Sequence, residues 1–158
     1  MSAVDPIAAQ QLLARWWCAY DAGRFDELRT LLTDDVHFAC RTDTGTTSFE
    51  EFVRADSRGR DEVMHWQTEH RLDTPYPLRH HATNFHLTDT NTDPGGGDQG
   101  FRHYLVVTQV QDVSPVFVPG GVVEGTLRAE GDGLRIAELI VILDTMDSVP
   151  LRQLDLAQ

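Results

Sequence analysis

The chain has 158 residues, a formal net charge of -12 and a hydrophobic fraction of 41%. That suffices for one domain with one core, while the acidity opposes binding to nucleic-acid phosphates and to anionic membrane surfaces. All 13 basic residues are arginine, so lysine nucleophiles and Schiff-base chemistry are excluded.

No apolar run approaches the roughly 20 residues of a membrane span. The start MSAVDPIAAQQ has neither the basic end nor the apolar stretch of a secretory signal. The expected location is therefore cytoplasmic, and Cys18 and Cys40 are expected to be buried free thiols.

Asp5-Pro6 predicts a helix start, with Asp as N-cap and Pro at the first helical position. Leu13, Trp17 and Tyr20 recur at helical spacing, widened by Ile7, Leu12 and Trp16, until Gly23 ends the helix. Residues 25–33 predict a short second helix, and Val36-His37-Phe38-Ala39-Cys40 begins a strand. Ser48 with Glu51 predicts a capped third helix over roughly 49–58. Residues 59–78 are polar, with Pro75 and Pro77, and predict an irregular or partly helical crossover. Strands follow at 79–88, 101–113, 122–130 and 134–144, separated by a long polar loop, a Pro115–Gly121 turn and a hairpin at 130–133. Helices followed by a strand meander predict an α+β fold, a curved antiparallel sheet packed on helices with a hollow between them.

The residues that could carry chemistry are few. Asp21 stands at a helix C-terminus, where the partial negative charge disfavours a carboxylate. It is either a solvated helix end or a buried group that needs a donor. Strict alternation over 79–88 puts His81 on one face with Thr83, Phe85 and Leu87, and His80 on the other with Ala82, Asn84 and His86. The first set is the more apolar, so His81 is expected to face inward. A histidine paired with a buried aspartate is a tunable acid or base near neutral pH. No H-x-H, HExxH or CxxC spacing supports a metal, and no glycine-rich phosphate loop or nucleophile elbow is present, so no cofactor is expected. In 101–110 either face can be inward, and Glu124 is an isolated acid in an apolar strand.

The words Ala19-Tyr20-Asp21-Ala22-Gly23-Arg24-Phe25-Asp26-Glu27-Leu28 and Thr33-Asp34-Asp35-Val36, with Arg79-His80-His81-Ala82-Thr83-Asn84 and the Asp132-Gly133 hairpin, carry a resemblance. The chain resembles the SnoaL-like and scytalone-dehydratase-like proteins of the nuclear-transport-factor-two superfamily over roughly residues 7–143. The rest, 144–158, is a C-terminal tail of the single domain. The resemblance implies a cone-shaped α+β barrel around a deep pocket, and a homodimer packed through the outer sheet face. It also implies an Asp–His pair that acts with a second histidine and two tyrosines to hold water on a substrate carbonyl. Carried over, the aspartate is Asp21, the tyrosine before it Tyr20, and the histidine His81. The second histidine falls near Thr108, the second tyrosine near Cys40 and a pocket asparagine near Glu124, so half of that set is replaced. Trp17, Phe38, Cys40, Thr108 and Glu124 are the residues expected against substrate.

The expected function is a cofactor-independent dehydratase, cyclase or isomerase acting on a small apolar carbonyl compound such as a polyketide or aromatic natural product. The alternative is a non-catalytic ligand-binding or subunit domain, as in the small subunit of ring-hydroxylating dioxygenases. A weaker alternative is an epoxide hydrolase, with Arg102 or Arg128 and Asp144 supplying parts of an Asp–Arg–Asp set.

Overall fold

Asp5 accepts a hydrogen bond from the Ile7 amide at 3.0 Å, and Pro6 opens the first helix, α1 (Pro6–Asp21). This start is legible in the sequence because an N-cap aspartate satisfies an otherwise orphaned amide. The helix buries Leu12, Leu13, Trp16, Trp17 and Tyr20 along one stripe. Cys18 points out of that stripe and is exposed, contrary to expectation, while Cys40 is buried. The structure is a computed structural model and describes residues 4–48, 50–74, 76–88, 97–131, 133–145 and 148. Residues 89–96 of the polar loop expected over 88–100, Asp132 of the 130–133 hairpin and most of the C-terminal tail lie outside the described residues, and the end of that loop, from Gln99, is already strand.

After α1 come α2 (Phe25–Thr30), β1 (Leu32–Thr42), α3 (Glu50–Val53), β2 (Ala55–Arg58) and α4 (Arg60–Leu72). Then β3 (Leu78–Thr88), β4 (Gln99–Gln111), β5 (Ser114–Glu130) and β6 (Gly133–Leu143) complete the sheet. The strand order is β2-β1-β6-β5-β4-β3, with β1 and β6 parallel and the other pairs antiparallel. The expected α+β architecture is present, with helices packed on a curved sheet that stays unclosed. Helix α1 packs on β3 and β6, and α4 packs on β1 and β2. The two helices therefore cover opposite edges of the sheet.

Three stretches differ from the sequence reading. The expected third helix is cut to one turn, because the chain extends into β2 and pairs with β1. The crossover at 59–78 contains the 13-residue helix α4. Gly59 enters it at φ 85°, donating its amide to the Val36 carbonyl at 2.8 Å, and Arg60 donates to the Leu32 carbonyl at 2.9 Å. These contacts, distant in sequence, fix the helix over β1. The expected Pro115–Gly121 turn is strand, and the chain reverses instead at Asp112 and Val113, both at positive φ. Two successive positive φ values suit the tight turn that matches strand twist.

His103 on β4 is fully buried, donating Nδ1–H to the Tyr104 carbonyl at 3.0 Å. Burial lowers its pKa below the ordinary 6.5, and the Tyr104 carbonyl offsets this only in part. Above pH 6.5 the ring is neutral in both folded and unfolded chains. Below that the unfolded chain takes up a proton that the folded one resists, so stability falls until the pH passes the folded pKa. Urea unfolding from pH 7.5 to 5 should show a falling midpoint, and His103→Gln should flatten the slope. An equal slope in both proteins would refute this.

Candidate active site

Helix α1 ends with Tyr20 and Asp21 pointing toward β3. The Asp21 carboxylate takes two hydrogen bonds from one residue: Oδ1 lies 2.5 Å from His80 Nδ1, and Oδ2 accepts from the His80 amide at 2.9 Å. Their side chains are 9% and 11% exposed. The negative end of a helix is a poor place for a carboxylate. Two donors from His80 offset this, as does Arg71, which donates from Nε and Nη2 to the Asp21 carbonyl at 3.3 and 3.0 Å. Arg71 thereby caps a carbonyl that the end of α1 leaves without a helical partner.

The His80 ring is clamped by aromatic neighbours. It stacks on Trp17, with centroids 4.7 Å apart at 8°, and meets Tyr20 edge-on at 5.3 Å. With Nδ1–H donated to Asp21, Nε2 is the nitrogen free to accept a proton. Burial raises the Tyr20 pKa well above its ordinary 10, partly countered by Arg71, so Tyr20 is a phenol with a hydrogen to donate.

The paired histidine is thus His80, which corrects the expectation for His81. His81 is exposed on the outer face, with Nε2 3.3 Å from Thr108 Oγ1. The cause is a bulge. Asn84 has φ 55°, and β3 uses three steps from Thr83 to His86 where β4 uses two from Tyr104 to Arg102. One extra residue reverses the parity of the strand. His80 before the bulge and Phe85 and Leu87 after it therefore share the core side. The apolar pattern that favoured His81 belongs to the other half of the strand.

Trp17, Tyr20 and His80 line a cavity of about 480 Å³ between the helices and the sheet. Phe38, Cys40 and Trp66 continue the wall, and Leu105, Val107, Val141 and Leu143 come from the sheet. Burial pushes the Cys40 thiol up to about 12, so it is an apolar neighbour rather than a nucleophile. Thr108 and Glu124, expected against substrate, are not among the lining residues. Thr108 shares the outer face with His81, and Glu124 is opposite Arg102 and Ile140 there. The odd residues of β4, His103, Leu105 and Val107, are the buried ones.

Sequence reasoning missed the helical wall. Gln67 and His70 of α4 line the cavity, and Trp66 stacks on His70 with centroids 4.5 Å apart. Asp61 and Glu62 in the first turn and His70 and Arg71 in the last were the signal for that helix. Arg128 is held by Asp98 at 2.9 Å and Asp35 at 2.8 Å, and neither it, Arg102 nor Asp144 lines the cavity. The parts of an Asp–Arg–Asp set are thus not assembled there. Among the described residues, no three His, Cys, Asp or Glu side chains converge as a metal site requires. Among those residues, too, no helix is long and apolar enough to cross a membrane.

Solved structures share this fold. A protein from Catenulispora acidiphila, solved in complex with S-DNPA, is 22% identical, with 87% of this chain and 91% of that one covered at a TM-score of 0.69. An NTF2-like protein with a cystatin-like fold from Novosphingobium aromaticivorans is 19% identical, with 92% and 84% covered at 0.70. A protein from the same organism, provisionally assigned as the beta subunit of an aromatic-ring-hydroxylating dioxygenase, is 16% identical, with 91% and 92% covered at 0.69. No curated protein matches the chain. The family model for the SnoaL-like domain matches residues 4–140, through both the Tyr20-Asp21 helix end and the His80 strand, and the chain belongs to that family.

Proposed function

We propose that the protein is a cofactor-independent acid–base enzyme, a dehydratase, cyclase or isomerase, acting on a small apolar carbonyl compound such as a polyketide or aromatic natural product. One observation carries this reading: a carboxylate holds Nδ1 of a histidine whose ring lines an aromatic cavity. His80 Nε2 takes a proton from the carbon beside the carbonyl. The C–H electron pair moves into the new C=C bond as the carbonyl oxygen becomes an enolate. Tyr20 donates a hydrogen bond to that oxygen, and Asp21 stabilises the imidazolium. The enolate then expels a β-hydroxyl, which takes the proton from His80 and leaves as water, or its carbon attacks an electrophilic carbon of the same molecule to close a ring, or the imidazolium returns the proton to another carbon. All three outcomes share the first step. The test is deuterium exchange of 2-tetralone, followed by NMR. Exchange faster than in buffer and dependent on His80 is expected, and a buffer rate refutes the proposal.

The second reading is a subunit or ligand-binding domain, favoured by the fold shared with the provisionally assigned dioxygenase beta subunit. Isolation as a protein with exchange activity of its own would exclude an obligate subunit role.

Homodimerisation through the outer sheet face is also proposed. That face exposes Tyr104 at 50% and Phe117 at 81%, with Val106 beside them. Phe117 stands opposite Thr108, and Tyr104 opposite Val122. An apolar face of this kind marks an interaction surface. Light scattering should give a dimer for the wild type and a monomer for Val106→Asp with Phe117→Asp. A wild-type monomer would refute the assignment.

A further inference from the structure

The Asp21–His80 pair is only one polar edge of the cavity. Another lies on α4, which lines the same cavity. Gln67 is 3% exposed and lines the cavity, and among the described residues no hydrogen bond reaches its side-chain amide. The amide opens onto the cavity rather than being sealed in protein, so a ligand group entering there can take up its donor and its acceptor. His70 follows one turn later on the same wall. Its ring is fixed by stacking on Trp66, and among the described residues its nitrogens make no hydrogen bond. Burial lowers the His70 pKa, with Asp73 opposing and His80 assisting the shift. Near neutral pH the ring is therefore an uncharged donor and acceptor. Among the described lining residues there is no arginine, and the chain has no lysine. An anionic ligand would find no guanidinium or ammonium group there and would face Asp73.

We infer that Gln67 and His70 form a recognition site for a hydroxyl group on a non-anionic, largely planar ligand, and so determine which hydroxylated substrates the cavity accepts. This rests on reading the cavity as the substrate site. Gln67 offers both an N–H donor and a carbonyl acceptor, which matches a hydroxyl in either role. The stacked Trp66 and His70 rings, with Phe38 beside Trp66 at 5.0 Å, offer a flat aromatic flank to such a ligand.

The test is binding rather than turnover. Wild type is titrated with 1-tetralone and with its 5-, 6- and 7-hydroxy derivatives, followed by quenching of tryptophan fluorescence and by calorimetry. At least one hydroxytetralone should bind about fivefold or more tightly than 1-tetralone. Gln67→Met, which keeps the length without the amide, should abolish that preference while retaining 1-tetralone binding. His70→Phe, which keeps the stack on Trp66, should reduce it, and provides a second variant if the first is unfolded by its thermal melt. The inference is overturned if no tetralone binds, if wild type shows no hydroxyl preference, or if the preference survives in the folded variants. A protein that binds selectively but exchanges no protons would refute the acid–base reading and leave this one standing. Exchange without hydroxyl preference would do the reverse.

Discussion

His80→Ala is expected to slow exchange of 2-tetralone by about 10²–10⁴-fold, the usual worth of a positioned general base, whereas His81→Ala is expected to leave it unchanged. The two residues are adjacent in sequence, so the comparison isolates direction. His80 lies in the cavity against Trp17, and His81 lies on the outer face beside Thr108. Asp21→Asn should also slow exchange strongly. An asparagine oxygen cannot accept both the His80 amide and Nδ1–H as the two carboxylate oxygens do, and it brings no charge to stabilise the imidazolium. Circular dichroism and thermal melts of each variant separate lost chemistry from lost folding. Equal rates for His80→Ala and wild type, or a loss confined to His81→Ala, would sink the assignment.

Gly125→Ala is expected to destabilise the protein by roughly 3 kcal/mol, at the upper end for overpacking, lowering Tm by roughly 6–12 °C for a chain of this size. A Cβ on Gly125 would sit 2.0 Å from the Glu138 carbonyl oxygen and 2.7 Å from its carbon. Both atoms belong to the backbone of β6, so no side chain can turn aside, and the central β5–β6 ladder must part. Gly45→Ala is the control. Gly45 has φ 65°, and an added methyl there would meet nothing within 4 Å, so only the left-handed conformation is penalised, at about 1–2 kcal/mol. Chemical denaturation of both variants decides the matter. A loss at Gly125 no larger than at Gly45 would show that the strands have room to adjust.

The placement of the site was partly legible in local chemistry. Asp5-Pro6 started α1 where expected, and the helical spacing of Leu13, Trp17 and Tyr20 put Asp21 at its end. What the residues left open was whether that carboxylate was solvated or buried. The two bonds from His80 and the capping Arg71 decide it, and both residues lie far from Asp21 along the chain.

Sequence by itself determined the α+β class, the course of α1 and the presence of an aspartate at its end near a histidine strand. These follow from caps, periodicity and composition, which act between near neighbours. Only the tertiary structure decided which histidine enters the cavity, because the bulge at Asn84 reverses a strand whose alternation looked continuous. It also made residues 60–72 a helical wall, since Gly59 and Arg60 are anchored to carbonyls of β1. The same long-range pairing carried Thr108 and Glu124 to the outer face. Direction in a sheet is set by register with partner strands, and register is a property that no short stretch of chain contains.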